Sequence, residues 1–141
     1  MSIISIPVAL RRIVVQRARN ACEYFGLSPE GQEATFHIDH LIPRSAGGAT
    51  ISENLALTCV SCSLHKSAHQ TVAVPHSGEE VLLFHPRRDP WSEHFRWEGS
   101  SLVGLTTTGQ VTIEALRMNR PVMLAIRQEE TLLGRHPLPT A

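Results

Sequence analysis

An aspartate and a histidine stand side by side as Asp39-His40, near the end of the apolar stretch Phe36-His37-Ile38-Asp39-His40-Leu41-Ile42, and a loop containing Gly47-Gly48 follows. Neighbouring residues on a strand point to opposite faces, so two adjacent polar side chains rarely serve one packing purpose. They can serve one piece of chemistry. A carboxylate can hold a divalent cation, and an imidazole, whose unperturbed pKa is about 6.5, can take or give a proton near neutral pH. His37 lies on the same strand face as Asp39 and reads as a structural residue or a neighbour of the site. Further along, Cys59-Val60-Ser61-Cys62 has the spacing that puts two thiolates on one metal, usually zinc. The same pair reads equally well as two small buried apolar residues at a helix start.

Several elements must position these groups. Ser5-Ile6-Pro7 reads as a helix start, and Leu10, Ile13, Val14 and Ala18 recur at helical spacing towards about Asn20. Residues 26–34 are turn-rich, and residues 35–41 carry the β-branched and aromatic content of a strand. Residues 43–53 form a loop, and residues 54–68 a short strand leading into a helix from about Val60. A turn over 76–80 precedes an expected strand over 81–86. Residues 87–99 mix arginines with Trp91 and Trp97 and carry no clear period; the tryptophans read as core anchors, Arg87 and Arg88 as a solvated pair. A strand over 100–106, a helix from Thr108 and a last helix from Pro121 ended by Gly134 complete the chain. Val111, Ile113, Leu116, Met118, Met123, Leu124 and Ile126 supply their core faces.

With 141 residues and 42% hydrophobic content, the chain suits one compact α+β unit over 1–141, with a core at about 20–70 and an extension at about 80–135. No stretch approaches the ~20 apolar residues of a membrane span, and no secretory signal is recognised, so a cytoplasmic location is expected. Thirteen basic and 13 acidic residues cancel, which is not the profile of a protein that coats nucleic acid nonspecifically. The distribution is uneven: Arg11, Arg12, Arg17 and Arg19 lie in the first twenty residues without an acid. The three cysteines, Cys22, Cys59 and Cys62, are an odd number and argue against a disulfide framework.

Taken together, Cys22, Asp39-His40-Leu41-Ile42-Pro43, Gly47-Gly48, Glu53-Asn54-Leu55, Cys59-x-x-Cys62-Ser63 and Lys66 resemble the HNH endonuclease family with its ββα-metal fold, over roughly residues 20–68. Residues 83–99 also look like a segment that accompanies one bacterial branch of these proteins. The resemblance implies a ββα-metal core with an N-terminal helix and a helical C-terminal extension. It implies DNA as partner, no small-molecule cofactor, and His40 as general base for a water attacking a phosphodiester. Asp39 would hold magnesium or manganese, and Asn54 would fix the ring of His40. Gly47 and Gly48 would allow a tight loop. Arg44, Lys66 and the N-terminal arginines are candidates for phosphate contact.

Two departures matter. Ser63 stands where the family has asparagine or histidine as second ligand of the catalytic cation; a hydroxyl is weaker, though water can bridge it to magnesium. His65 should not replace it, since two residues along a helix is about 200° round the axis. Phe25 stands where the first Cys-x-x-Cys would have its second cysteine, leaving Cys22, Cys59 and Cys62 as a residual zinc site. Either a histidine completes it or zinc is lost and Phe25 packs over the old site; the phenylalanine favours loss. These departures keep open a non-cleaving module that binds nucleic acid or a protein. A thiol redox protein is disfavoured, because no thioredoxin-like context surrounds Cys59-x-x-Cys62.

Overall fold

A computed structural model describes residues 6–26, 36–75 and 77–137. Helix α1 spans Val8–Arg17 and opens on Pro7, which has no side chain to cap it. Ser5, expected to begin this helix, lies outside the described residues, as does most of the loop expected over 26–34. The helix stops before Asn20 because Arg19 and Asn20 take positive φ values of 54° and 52°, which turn the chain towards the buried Ala21 and Cys22.

Strands β1, His37–His40, and β2, Leu55–Thr58, form an antiparallel pair in which His37 faces Thr58 and His40 faces Leu55. All four residues of β2 are buried, so this strand is the floor of the unit. Cys59 caps helix α2, Val60–Lys66, by accepting the Cys62 N–H on its sulfur at 3.4 Å. The succession β1, β2, α2 is the ββα core, and with the helices and hairpins around it the fold class is α+β.

Three small elements follow that the sequence reading did not resolve. Strands β3, Thr71–Ala73, and β4, Glu80–Leu82, make a second hairpin. The expected strand over 81–86 is therefore shorter, because Leu83 and Phe84 leave the ladder and enter the core. The tryptophan-containing segment forms a single helical turn, α3, Trp91–His94, and then β5, Phe95–Glu98, paired with β6, Ser101–Gly104. Helix α4, Thr107–Ala115, is capped by the Thr106 hydroxyl, which accepts the Gly109 N–H at 3.0 Å. Helix α5, Pro121–Leu132, starts with proline in its first turn, where the missing N–H costs no helix bond.

The extension docks on the turn that carries Cys22, Tyr24 and Phe25. Trp91 Nε1 donates to the Tyr24 carbonyl at 2.7 Å, and the Phe84 ring meets those of Tyr24 and Phe95 edge-on. Arg87 pairs with Glu23 and is half-buried, unlike the solvated residue expected, whereas Arg88 pairs with Asp89 at 2.8 Å and is exposed. Arg127 of α5 is fully buried over the rings of Phe25 and Trp97, at 4.9 and 5.1 Å. One cluster of buried apolar side chains takes members from α1, the ββα core and the extension. No described helix is long and apolar enough to cross a membrane.

Candidate active site

The alternation of β1 sorts its polar residues as the pleat requires. His37 and Asp39 project towards α2, where helical spacing places Ser63 and Lys66 on one face. His37 Nδ1 lies 3.2 Å from Ser63 Oγ, and Asp39 Oδ2 lies 2.9 Å from Lys66 Nζ. The two contacts are successive rungs between strand and helix. His37 is exposed and Ser63 and Asp39 are half-buried, whereas Lys66 is buried and also donates to the His40 carbonyl at 3.4 Å. The expectation that Lys66 contacts phosphate therefore meets a different placement: its ammonium is turned inward onto Asp39. Burial raises the Asp39 carboxyl above its ordinary range, and the Lys66 ammonium only partly offsets it.

His40 projects the other way. Its Nε2 lies 2.9 Å from the Thr50 hydroxyl, a partner the sequence reading missed. Burial lowers the His40 pKa, Arg44 and Lys66 push it the same way, and Asp39 only partly opposes them. The ring is thus neutral near pH 7, the form a base requires. Arg44 is exposed on a short 3₁₀ turn over Arg44–Ala46, free in position to meet a phosphate.

Asn54 does not touch the imidazole, contrary to the expectation that it would fix the ring. Its side-chain oxygen accepts the Ile42 N–H at 2.8 Å, and its amide donates to the carbonyls of Ile42 and Ala49 at 3.0 and 2.9 Å. It clamps both ends of the loop that brings Thr50 to His40, and so reaches the imidazole only through that loop. Two glycines make the clamp feasible. Gly47 has φ of 87°, which a side chain disfavours, and a Cβ on Gly48 would lie 1.8 Å from the Ile42 oxygen.

On the opposite side of the core, Cys22, Cys59 and Cys62 bring their sulfurs within 4.8 Å of one another, all buried. Three corners of a tetrahedral zinc site are about 3.8 Å apart for bonds of about 2.3 Å, so the trio can hold a zinc-like ion. The group contains no fourth His, Cys, Asp or Glu among the described residues, and Phe25 is buried in the core beside it. The donor set is one short of a closed structural site, and among the described residues no histidine completes it. Hydrogen bonds from the Cys22 and Cys62 thiols favour the thiolate of Cys59, while burial holds Cys22 and Cys62 up as thiols. Burial also draws Arg127 down to about 10, which leaves it charged near these sulfurs at neutral pH.

His65 is excluded from the Asp39 face as expected: its Nδ1 turns back to the Ser61 carbonyl at 2.8 Å. The residues the sequence reading left aside were His37, set down as structural or a neighbour, and Thr50. The even spacing of His37 and Asp39 was the available signal for the first; for Thr50 it was only its place after the glycine pair. The family model for HNH endonuclease matches residues 22–69, a span running from Cys22 to just beyond Lys66. No curated protein matches the chain. The match supports a nuclease or nucleic-acid-binding role, with nucleic acid as the partner. The ββα core, the glycine loop clamped by Asn54 and Asp39-His40 on β1 all fall inside that span, so residues 22–69 are similar to the HNH endonuclease family.

Proposed function

We propose that the protein is a metal-dependent endonuclease that hydrolyses phosphodiester bonds in DNA, with His40 as general base. The observation that carries this reading is the pairing of a neutral, Thr50-held imidazole with an adjacent carboxylate on an edge of a two-stranded sheet. If the Thr50 hydroxyl accepts from Nε2, the Nδ1 lone pair of His40 is left to take a proton from water. The water oxygen then bonds to phosphorus, its proton passes to His40, and the bond to the 3′ oxygen breaks. Asp39 and Ser63 are the residues that would hold magnesium or manganese. Such a cation, when bound, neutralises the scissile phosphate and the leaving 3′ oxygen. Lys66 holds one carboxylate oxygen of Asp39 and leaves the other for a ligand bond. Exposed Arg44 would meet the flanking phosphate backbone.

A second reading, a module that binds nucleic acid without cutting, is favoured by one observation: the Lys66 ammonium already neutralises Asp39. Supercoiled-plasmid nicking with magnesium and with manganese separates the two. Cleavage that stops on chelation and in Asp39→Ala supports the nuclease. Salt-sensitive DNA binding by well-folded protein, with no nicking in either metal, would establish the binding module instead.

A further inference from the structure

The side chains between β1 and α2 are a carboxylate, an imidazole, a hydroxyl and an ammonium. Two of these, Asp39 and Ser63, make a thin donor set: one charged oxygen and one neutral oxygen that binds cations weakly. The imidazole of His37 sits in the same row and takes no part in the core. It is exposed, it shares the strand face of Asp39, and its Nδ1 is 3.2 Å from Ser63 Oγ. Two ligand atoms on adjacent corners of an octahedron with bonds of about 2.1 Å lie about 3.0 Å apart. The contact between His37 and Ser63 therefore has the spacing of two donors sharing one ion. His65, two residues beyond Ser63, has its Nδ1 turned back to the Ser61 carbonyl.

We infer that His37 is a ligand of the catalytic cation and, beside Ser63, provides the strong donor that the hydroxyl lacks. This inference rests on the cation-dependent reading above and specifies how that site is built in this chain. A nitrogen donor has a consequence for metal choice. Imidazole suits manganese and other transition ions, whereas magnesium prefers oxygen and water. The site accordingly favours manganese over magnesium. The exposure of His37 also places the ligand set at the surface, where an ion and a phosphate arrive from solvent.

The test is manganese binding to the full chain, followed by the loss of the free-ion electron paramagnetic resonance signal, with pulsed measurements for a directly bonded nitrogen. The parent is expected to show that nitrogen. His37→Ala should lose it and bind manganese at least about tenfold more weakly, with an unchanged melting temperature. Adding Ser63→Asn to His37→Ala should recover part of the affinity, through an oxygen donor. Unchanged manganese affinity in His37→Ala, while Asp39→Ala weakens binding, would overturn the role of His37 and leave the cation-dependent reading standing. A parent that binds no manganese in this assay, and nicks DNA with neither metal, would overturn both.

Discussion

The two flanks of the ββα core are built from the same few residues of chain and have opposite characters. On one flank, His37, Asp39, Ser63 and Arg44 lie at or near the surface, with His37 beside Ser63 and Asp39 paired to Lys66. On the other, Cys22, Cys59, Cys62 and Phe25 are sealed under the extension, with Arg127 lying over Phe25. Helix α2 separates them, sending Cys62 to one side and the adjacent Ser63 to the other. The sealed flank can trade a metal clamp for apolar burial, since either holds the turn at Cys22–Phe25 in place. On the proposed function the open flank cannot make that exchange, because its side chains would have to remain available to an ion and a substrate. A substitution that is structural on one side is thus chemical on the other.

Breaking the sealed flank should have the largest effect on folding. Phe25→Ala is expected to cost about 3–5 kcal/mol in denaturant unfolding, because a buried ring that also carries Arg127 leaves a cavity. Phe25→Cys sharpens the comparison. It offers the missing fourth thiol, so the purified variant should carry close to one equivalent of zinc, with the parent expected below a tenth. A parent holding stoichiometric zinc would show that three thiols suffice and that Phe25 is not a replacement for the ion.

Asn54→Ala bridges the two flanks. It frees the Ile42 N–H and two carbonyls from their partner, and should cost about 2 kcal/mol while also slowing cleavage through loss of Thr50 positioning. If stability falls but the rate per folded molecule does not, the clamp is structural only. Thr50→Val should leave the melting temperature nearly unchanged and reduce cleavage about tenfold, since it removes only the hydroxyl held to His40. An unaltered rate would mean that the ring needs no such partner.

The smallest expected effect concerns pH. His85 accepts the N–H groups of Arg87 and Arg88 on Nδ1, both at 3.2 Å, so its ring must be neutral in the fold. Burial, aided by Arg88, lowers its pKa below the ordinary histidine value. The unfolded chain takes that proton near pH ~6.5. The contribution of the neutral ring is complete above that value and declines as the pH falls through the lower folded pKa. Melting temperatures should drop by on the order of a few degrees between pH 7 and 5.5, and less so in His85→Gln.

The elements with a strong period or a clear cap were legible before any coordinates. The β2-to-α2 transition at Val60 and the proline start of α5 fall where they were read. Strands β3 and β5 were not, because each is only three or four residues long and its partner, rather than its own pattern, makes it a strand. Among the candidate site residues, the shared strand face of His37 and Asp39 was legible from spacing. The inward turn of Lys66 was not, since nothing in a linear pattern says that its ammonium meets Asp39 before it meets solvent. Nor was the clamp of Asn54 on the loop, which depends on how closely Gly48 approaches Ile42.

The central claim is that His40 is the base of a working site, and one comparison tests it most directly: the single-turnover nicking rate of supercoiled DNA with manganese, parent against His40→Ala. The account predicts nicking by the parent and a loss of about 10²–10⁴-fold in the variant, with the same melting temperature and the same manganese affinity. Cleavage by a well-folded His40→Ala protein at the parent rate would contradict it.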